Sequence, residues 1–256
     1  MLKNSIKTVF KYLLVVIITI AAGLVITSSI VYLFDMRGKI SNKLSSYRGT
    51  MVGGDADYYW AKEILNGGYI LHFRHAERDK WIDVQMYDAL ESDVHENGID
   101  ESRYAENDYF SKAVCLNSRG KIQARTMGEH ISRIGLPIST VVSSVSCRAR
   151  QTSKLAFGGF DTQHRLLVHQ GPYSENYDAR INTLKKFYGS LDVPSDSNVI
   201  VSSHNSVVQP EMFENFSSDL YLEEGGFYII SQKNGKLRLE YEFHTFNNFI
   251  KIFYPR

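Results

Sequence analysis

Gly68-Tyr69-Ile70-Leu71-His72-Phe73-Arg74-His75-Ala76-Glu77 is a short apolar run of strand-like composition that stops at an arginine, a histidine and a carboxylate. A buried strand that empties into charged residues has placed them at its carboxyl end. In open α/β sheets ligands collect in the crevice beyond those ends, so the Arg74-His75 pair is positioned to meet an anion. The rest of the chain is then searched for further cationic groups at strand ends, a second histidine and a proton source.

Upstream of this stretch, Asp55 is placed to cap a helix through Tyr58, Ala61, Ile64 and Leu65, which Gly67-Gly68 stops. Downstream, residues 79–117 form an insertion in which acidic residues far outnumber basic ones and apolar periodicity is lost. An insertion of this size is a lid or specificity loop, or a solvated surface excursion, and both readings stay open. Ser118 and Gly120 then open an amphipathic helix with Ile122, Met127, Ile131 and Ile134 spaced for one face, ended by Gly135 and Pro137. Thr140 to Ser144 reads as the next strand and delivers the chain to Ser146-Cys147-Arg148-Ala149-Arg150-Gln151-Thr152, the start of another helix. An arginine again follows a strand at a helix N-terminus, where backbone N–H groups favour anions.

Leu166-Leu167-Val168 is expected to be a short strand, followed by a helix from Asn176 to Tyr188 with Ser174-Glu175 ahead of it. Asn198 to Ser203 is a third strong strand, ending on His204-Asn205. Gly226 to Ser231 and Leu237 to Phe243 flank the turn Lys233-Asn234-Gly235 and read as a hairpin. The class is therefore α/β: a three-layer α/β/α sandwich with a mostly parallel central sheet.

The N-terminus differs from everything after it. Residues 1–11 are a short basic tail, and residues 12–34 carry no charge and are rich in Val, Ile and Leu. At about 1.5 Å per residue that run spans a hydrocarbon core of roughly 30 Å and reads as a transmembrane helix. The competing reading is a cleaved signal peptide, for which Thr27-Ser28-Ser29 is a poor cleavage site. Residues 35–54 are a polar juxtamembrane linker before a domain over 55–256. Basic residues on both sides of the span decide the orientation weakly; Lys3, Lys7 and Lys11 favour a cytoplasmic N-terminus and an extracytoplasmic domain in a single-pass protein.

A net charge of +1 with 22% charged residues gives no sign of a nucleic-acid partner. Two cysteines, Cys115 and Cys147, are too few for a disulfide framework. One bridge remains possible, although Cys147, inside the second arginine motif, reads as a small buried side chain. His95, His130, His164, His169 and His244 share no metal-ligand spacing, and no metal or other cofactor is expected. His72 points to the opposite side of its strand from His75 and reads as a core or supporting histidine. Arg150 reads as a surface residue, and Tyr58, Tyr59 and Trp60 as packing or interfacial aromatics.

Three strand ends thus offer Arg74-His75, Arg148 and His204. With Gly120 and Gln123-Ala124, Ser144 to Thr152, Val201 to His204 and Glu224-Gly225-Gly226 in order, the sequence resembles the histidine phosphatase superfamily, of phosphoglycerate-mutase-like fold. Within it, the Phe73 to Arg78 string, Cys115-Leu116, His204-Asn205 and the apolar N-terminus resemble the membrane-associated bacterial lipopolysaccharide core heptose-phosphate phosphatases. Departures are modest: Ala76 replaces glycine, Ser146 stands where proline is common, and Asn205 replaces glycine. None removes a phosphate ligand.

The resemblance implies a phosphomonoesterase working through a phosphohistidine. His75 is the implied nucleophile, while Arg74, Arg148 and His204 bind the phosphoryl oxygens, and His204 also takes part in catalysis. The proton for the leaving oxygen is assigned to Glu175, with Glu77 as the alternative. The implied substrate is a phosphorylated small molecule or envelope sugar. Two other readings remain: a catalytically silent phosphate-binding scaffold of the same fold, and a cytoplasm-facing phosphohistidine protein phosphatase.

Overall fold

The computed structural model describes residues 54–79, 114–168, 176–215, 220–233 and 236–254. The expected basic tail 1–11, anchor 12–34, nearly all of the linker 35–54, the bulk of the 79–117 insertion, and Glu175 lie outside the described residues. Among the described residues, no helix is long and apolar enough to cross a membrane.

Helix α1 (Asp55–Glu63) precedes strand β1 (Ile70–Arg74). Its N-cap is Gly54 rather than the expected Asp55, which sits in the first turn with Asp57, where the helix dipole favours carboxylates. Helix α2 (Ser118–Ile134) is capped by Asn117, whose side chain accepts from Gly120 N at 2.7 Å, and ends on Gly135 at φ 66°. Its buried positions are Gly120, Ala124, Met127 and Ile131. Ile122, expected on that face, is exposed because the small Gly120 and Ala124 are what fit against the site loop. Strand β2 (Ile138–Ser144) and helix α3 (Cys147–Ala156) follow as read from the sequence.

Next the chain departs from expectation. Strand β3 is Thr162–His164, and Arg165–Leu167 is a 3₁₀ turn. The apolar Leu166-Leu167-Val168 run is not a strand; the turn drives Leu167 into the core, while the polar Thr162, Gln163 and His164 pair with β2. Helix α4 (Tyr177–Gly189), capped by Asn176, leads to β4 (Asn198–Ser203). The hairpin of β5 (Phe227–Lys233) and β6 (Lys236–Phe243) closes the sheet, and a short helix α5 (Phe246–Ile250), not expected from the sequence, covers it.

The described strands form one sheet in the order β3-β2-β4-β1-β5-β6. Strands β3, β2, β4 and β1 run parallel; β5 is antiparallel to β1, and β6 to β5. One face packs Ile70, Val201, Tyr228 and Ile230 against Leu184 and Tyr188 of α4. The other packs Leu71, Phe73, Ile200 and Phe227 against Met127 and Ile131 of α2, Ala156 of α3 and Phe249 of α5. This is the expected α/β/α layering with a mostly parallel sheet.

Alternation along β1 explains the split, since Ile70, His72 and Arg74 face one layer and Leu71 and Phe73 the other. Phe73 stacks on Phe227 at 4.5 Å between centroids, and Phe227 meets Phe249 at 5.3 Å. Each buried phenylalanine contributes about 1.5–3 kcal/mol by burial, with roughly 0.5–1.5 kcal/mol more per well-oriented aromatic pair. That anchor lies one residue from Arg74 and two from His75, so the strand end is rigidly held.

Candidate active site

The first three backbone donors after β1 all find partners. His75 N donates to Ser203 O of β4 at 2.9 Å, Ala76 N to Thr152 Oγ1 at 3.0 Å, and Glu77 N to Gln123 Oε1 at 2.9 Å. Gln123 Nε2 donates in turn to Glu224 O at 2.8 Å, which ties α2 to the segment before β5. Gly120 is required here because a Cβ at that position would lie 1.9 Å from Glu77 O. The Gln and Thr of the second arginine motif therefore hold loops: Thr152 holds Ala76, and Gln151 Oε1 accepts from Leu116 N at 2.8 Å.

Three of the expected site residues converge. The His75 ring lies with Nδ1 2.7 Å from Ala76 O. A carbonyl can only accept, so Nδ1 carries the proton and Nε2 presents its lone pair. Arg148 Nε donates to that Nε2 at 3.2 Å, and Arg148 Nη2 donates to His204 Nδ1 at 3.3 Å. The two imidazoles stand 5.3 Å apart, centroid to centroid. His75, Arg148 and His204 are all buried. On its far side, His204 Nε2 is 3.2 Å from Ser144 Oγ, a hydroxyl that also accepts from Ser146 N at 3.3 Å. A hydroxyl can rotate, so Ser144 supports either neutral tautomer of His204.

Among the described residues, the Arg74 side chain makes no hydrogen bond to that trio. It lies beside it, donating through Nη1 to Leu222 O, 3.8 Å from Glu224 through Nη2, with its guanidinium 5.6 Å from the centre of the Tyr221 ring. Its buried Nε has no hydrogen-bond partner among the described residues. Glu175 lies outside the described residues. Glu77, the alternative proton source, is committed elsewhere: its carboxylate pairs with Arg119 and accepts from Asn117 Nδ2 at 3.1 Å.

Two expectations are corrected. Cys115 and Cys147 form a disulfide with Cα atoms 4.9 Å apart, joining the end of the insertion to the residue before Arg148. The adjoining Val114 O accepts from Arg148 Nη1 at 3.4 Å, so the bridge sits against the site. A separation of 32 residues carries no signal of proximity, and only the fold brings them together. Arg150 is fully buried rather than a surface residue, donating through Nη1 to Val145 O under the β2–α3 turn. As expected, His72 is buried, and it reaches His204 from behind. Its pKa is lowered to about 4 by burial. Among the described residues, no group of His, Cys, Asp and Glu could hold a metal ion.

Neither a protein-family model nor a curated protein sequence matches the chain. Solved structures are similar to it. The protein histidine phosphatase SixA complexed with tungstate is 15% identical, with 68% of this chain and 95% of that one covered and a TM-score of 0.45. Bacillus stearothermophilus YhfR is 13% identical over 71% of this chain and 98% of its own, with a TM-score of 0.44. Thermus thermophilus TTHB049 is 16% identical over 68% and 98%, with a TM-score of 0.42.

Proposed function

We propose that the chain is a phosphomonoesterase that transfers the phosphoryl group of its substrate to His75 Nε2 and then to water. The observation that carries this reading is the lone pair of His75 Nε2, fixed by the Ala76 carbonyl and facing the Arg148 guanidinium, with His204 on its other side. An imidazole lone pair beside a cation is suited to attack phosphorus, and a histidine intermediate divides one difficult displacement into two. Positioning and charge neutralisation supply most of the catalysis in phosphoryl transfer.

Without substrate, Arg148 Nε and Nη2 donate to neutral imidazole nitrogens. A phosphate dianion is a stronger acceptor and takes both donors, since charge-assisted bonds are about twice as strong as neutral ones. His204, released at Nδ1, exchanges its ring proton with water from Nε2 to Nδ1 and donates to the same group, while the Ser144 hydroxyl keeps its proton and donates a hydrogen bond to Nε2. Arg74 contributes the Nε–H that has no described partner. Glu175 protonates the leaving oxygen, an assignment supported by the prior engagement of Glu77.

The proposed setting is extracytoplasmic, behind the anchor at 12–34, on a phosphorylated envelope sugar. The disulfide supports it, because such bridges persist in oxidising compartments and are rare in the cytosol. It also disfavours the cytoplasm-facing phosphohistidine protein phosphatase. Hydrolysis of a generic aryl phosphate by native protein, His75→Ala and Arg148→Ala tests the reading. Release that depends on both side chains supports it, and no His75-dependent release leaves the silent scaffold in its place.

A further inference from the structure

His72 stands between two other buried residues, Leu71 and Phe73, on a central strand where an apolar side chain would pack without polar cost. It is instead satisfied at both nitrogens. Nε2 lies 3.1 Å from the backbone oxygen of His204, and Nδ1 lies 2.6 Å from Tyr188 Oη near the end of α4. The carbonyl can only accept, so Nε2 carries the proton; Nδ1 is then an acceptor, and the Tyr188 hydroxyl donates to it. One arrangement of protons satisfies all three groups. The Tyr228 ring stacks on the other side of His72 at 6.0 Å, and Gln232 Nε2 ties the Tyr188 backbone oxygen to β5.

We propose that His72 and Tyr188 form a positioning pair that sets the orientation of His204 from behind. This rests on the phosphatase reading of the site. His204 is the first residue beyond β4, where the ladder no longer fixes the chain. Its carbonyl receives the His72 N–H and, at 3.5 Å, Val207 N, which together hold the 204–205 peptide plane. With β4 holding the chain before it, fixing that plane limits the ψ of His204 and with it the direction of its Cα–Cβ bond, and the ring is held in front by Ser144 and Arg148. Burial keeps His72 neutral down to about pH 4 and pushes the Tyr188 phenol up, so neither changes its role over the range in which a phosphatase operates.

The test separates positioning from packing. His72→Leu removes the donor to His204 and strands the Tyr188 hydroxyl; Tyr188→Phe alone removes the hydroxyl; the double variant leaves an apolar pair with no stranded hydroxyl and still lacks the donor to His204. His72→Gln supplies both an amide donor and an acceptor. Melting temperature, kcat and KM for an aryl phosphate, and 15N imidazole shifts of His204 are measured on each folded variant. A misplacement on the order of 1 Å costs up to about 100-fold, so kcat is expected to fall roughly 10- to 100-fold in His72→Leu. The double variant is expected to recover stability but not kcat, and His72→Gln to recover both. The His204 shifts should move with kcat rather than with stability. If kcat follows stability through the series, or His72→Leu leaves kcat and the His204 shifts unchanged, His72 is a core residue only and the proposal is overturned. Absence of any His75-dependent hydrolysis in native protein would instead remove the phosphatase reading, while the His204 shifts still decide the geometric claim.

Discussion

Gly120→Ala adds one methyl group to a helix that lies against the site loop. The new Cβ would meet Glu77 O at 1.9 Å and Glu77 C at 2.8 Å, both backbone atoms that cannot swing aside. Ordinary contact begins near 3.4 Å, so helix and loop must separate by about 1.5 Å. Two residues upstream, the Nδ1 to Ala76 O bond that fixes the His75 tautomer has no such tolerance at 2.7 Å. Overpacking of this kind costs typically about 1–3 kcal/mol, and each kcal/mol lowers the melting temperature of a domain this size by roughly 2–4 °C. Loss of alignment at a reacting atom by more than an ångström adds a fall in kcat on the order of 100-fold. Thermal melts and aryl phosphate hydrolysis measure both. A variant with native melting temperature and native kcat would refute the claim that α2 holds the His75 loop by close approach.

Reducing the Cys115–Cys147 bridge, or replacing both residues by serine, releases a 32-residue loop and should cost about 2–4 kcal/mol, seen as a lower melting temperature with dithiothreitol. Hydrolysis should fall as well, because Val114 loses its hold beside Arg148; a melt indifferent to reductant would contradict this. Glu242 on β6 has its pKa raised from 4.5 to about 7 by burial. Below about pH 4.5 it is protonated in both folded and unfolded states, and as pH rises to about 7 the unfolded chain ionises first, so its contribution to stability falls over that window and then levels. Glu242→Gln should therefore raise the melting temperature more at pH 8 than at pH 5, and equal effects at both would show that the carboxyl is not held neutral.

Much of the site was legible because its parts recur in a form that sequence shows: a strand, then a charged residue at its end. His75, Arg148 and His204 each follow such a strand, and parallel pairing of β2, β4 and β1 brings the three ends to one rim. The features missed depend on distant partners. Leu166-Leu167-Val168 has the composition of a strand, yet the neighbouring polar residues take the hydrogen-bonding positions beside β2. Arg150 looked like a surface residue because its buried acceptor, Val145 O, is a backbone atom that no side-chain pattern reveals. The partner of His72 lies 116 residues away on α4, so its burial could be read but not the hydroxyl it meets. Helix α5 is too short for periodicity to show, and its Phe249 packs on the distant Phe227 and Phe243 rings.

The central claim is that one phosphoryl group passes through His75 Nε2. Rapid acid-free quenching during turnover of a 32P-labelled phosphomonoester, followed by peptide mapping, tests it most directly. The account predicts label that is stable in alkali and lost in acid, on the peptide containing His75 and absent from His75→Ala. Turnover that proceeds with no label on that peptide, or with label on another residue, would contradict it.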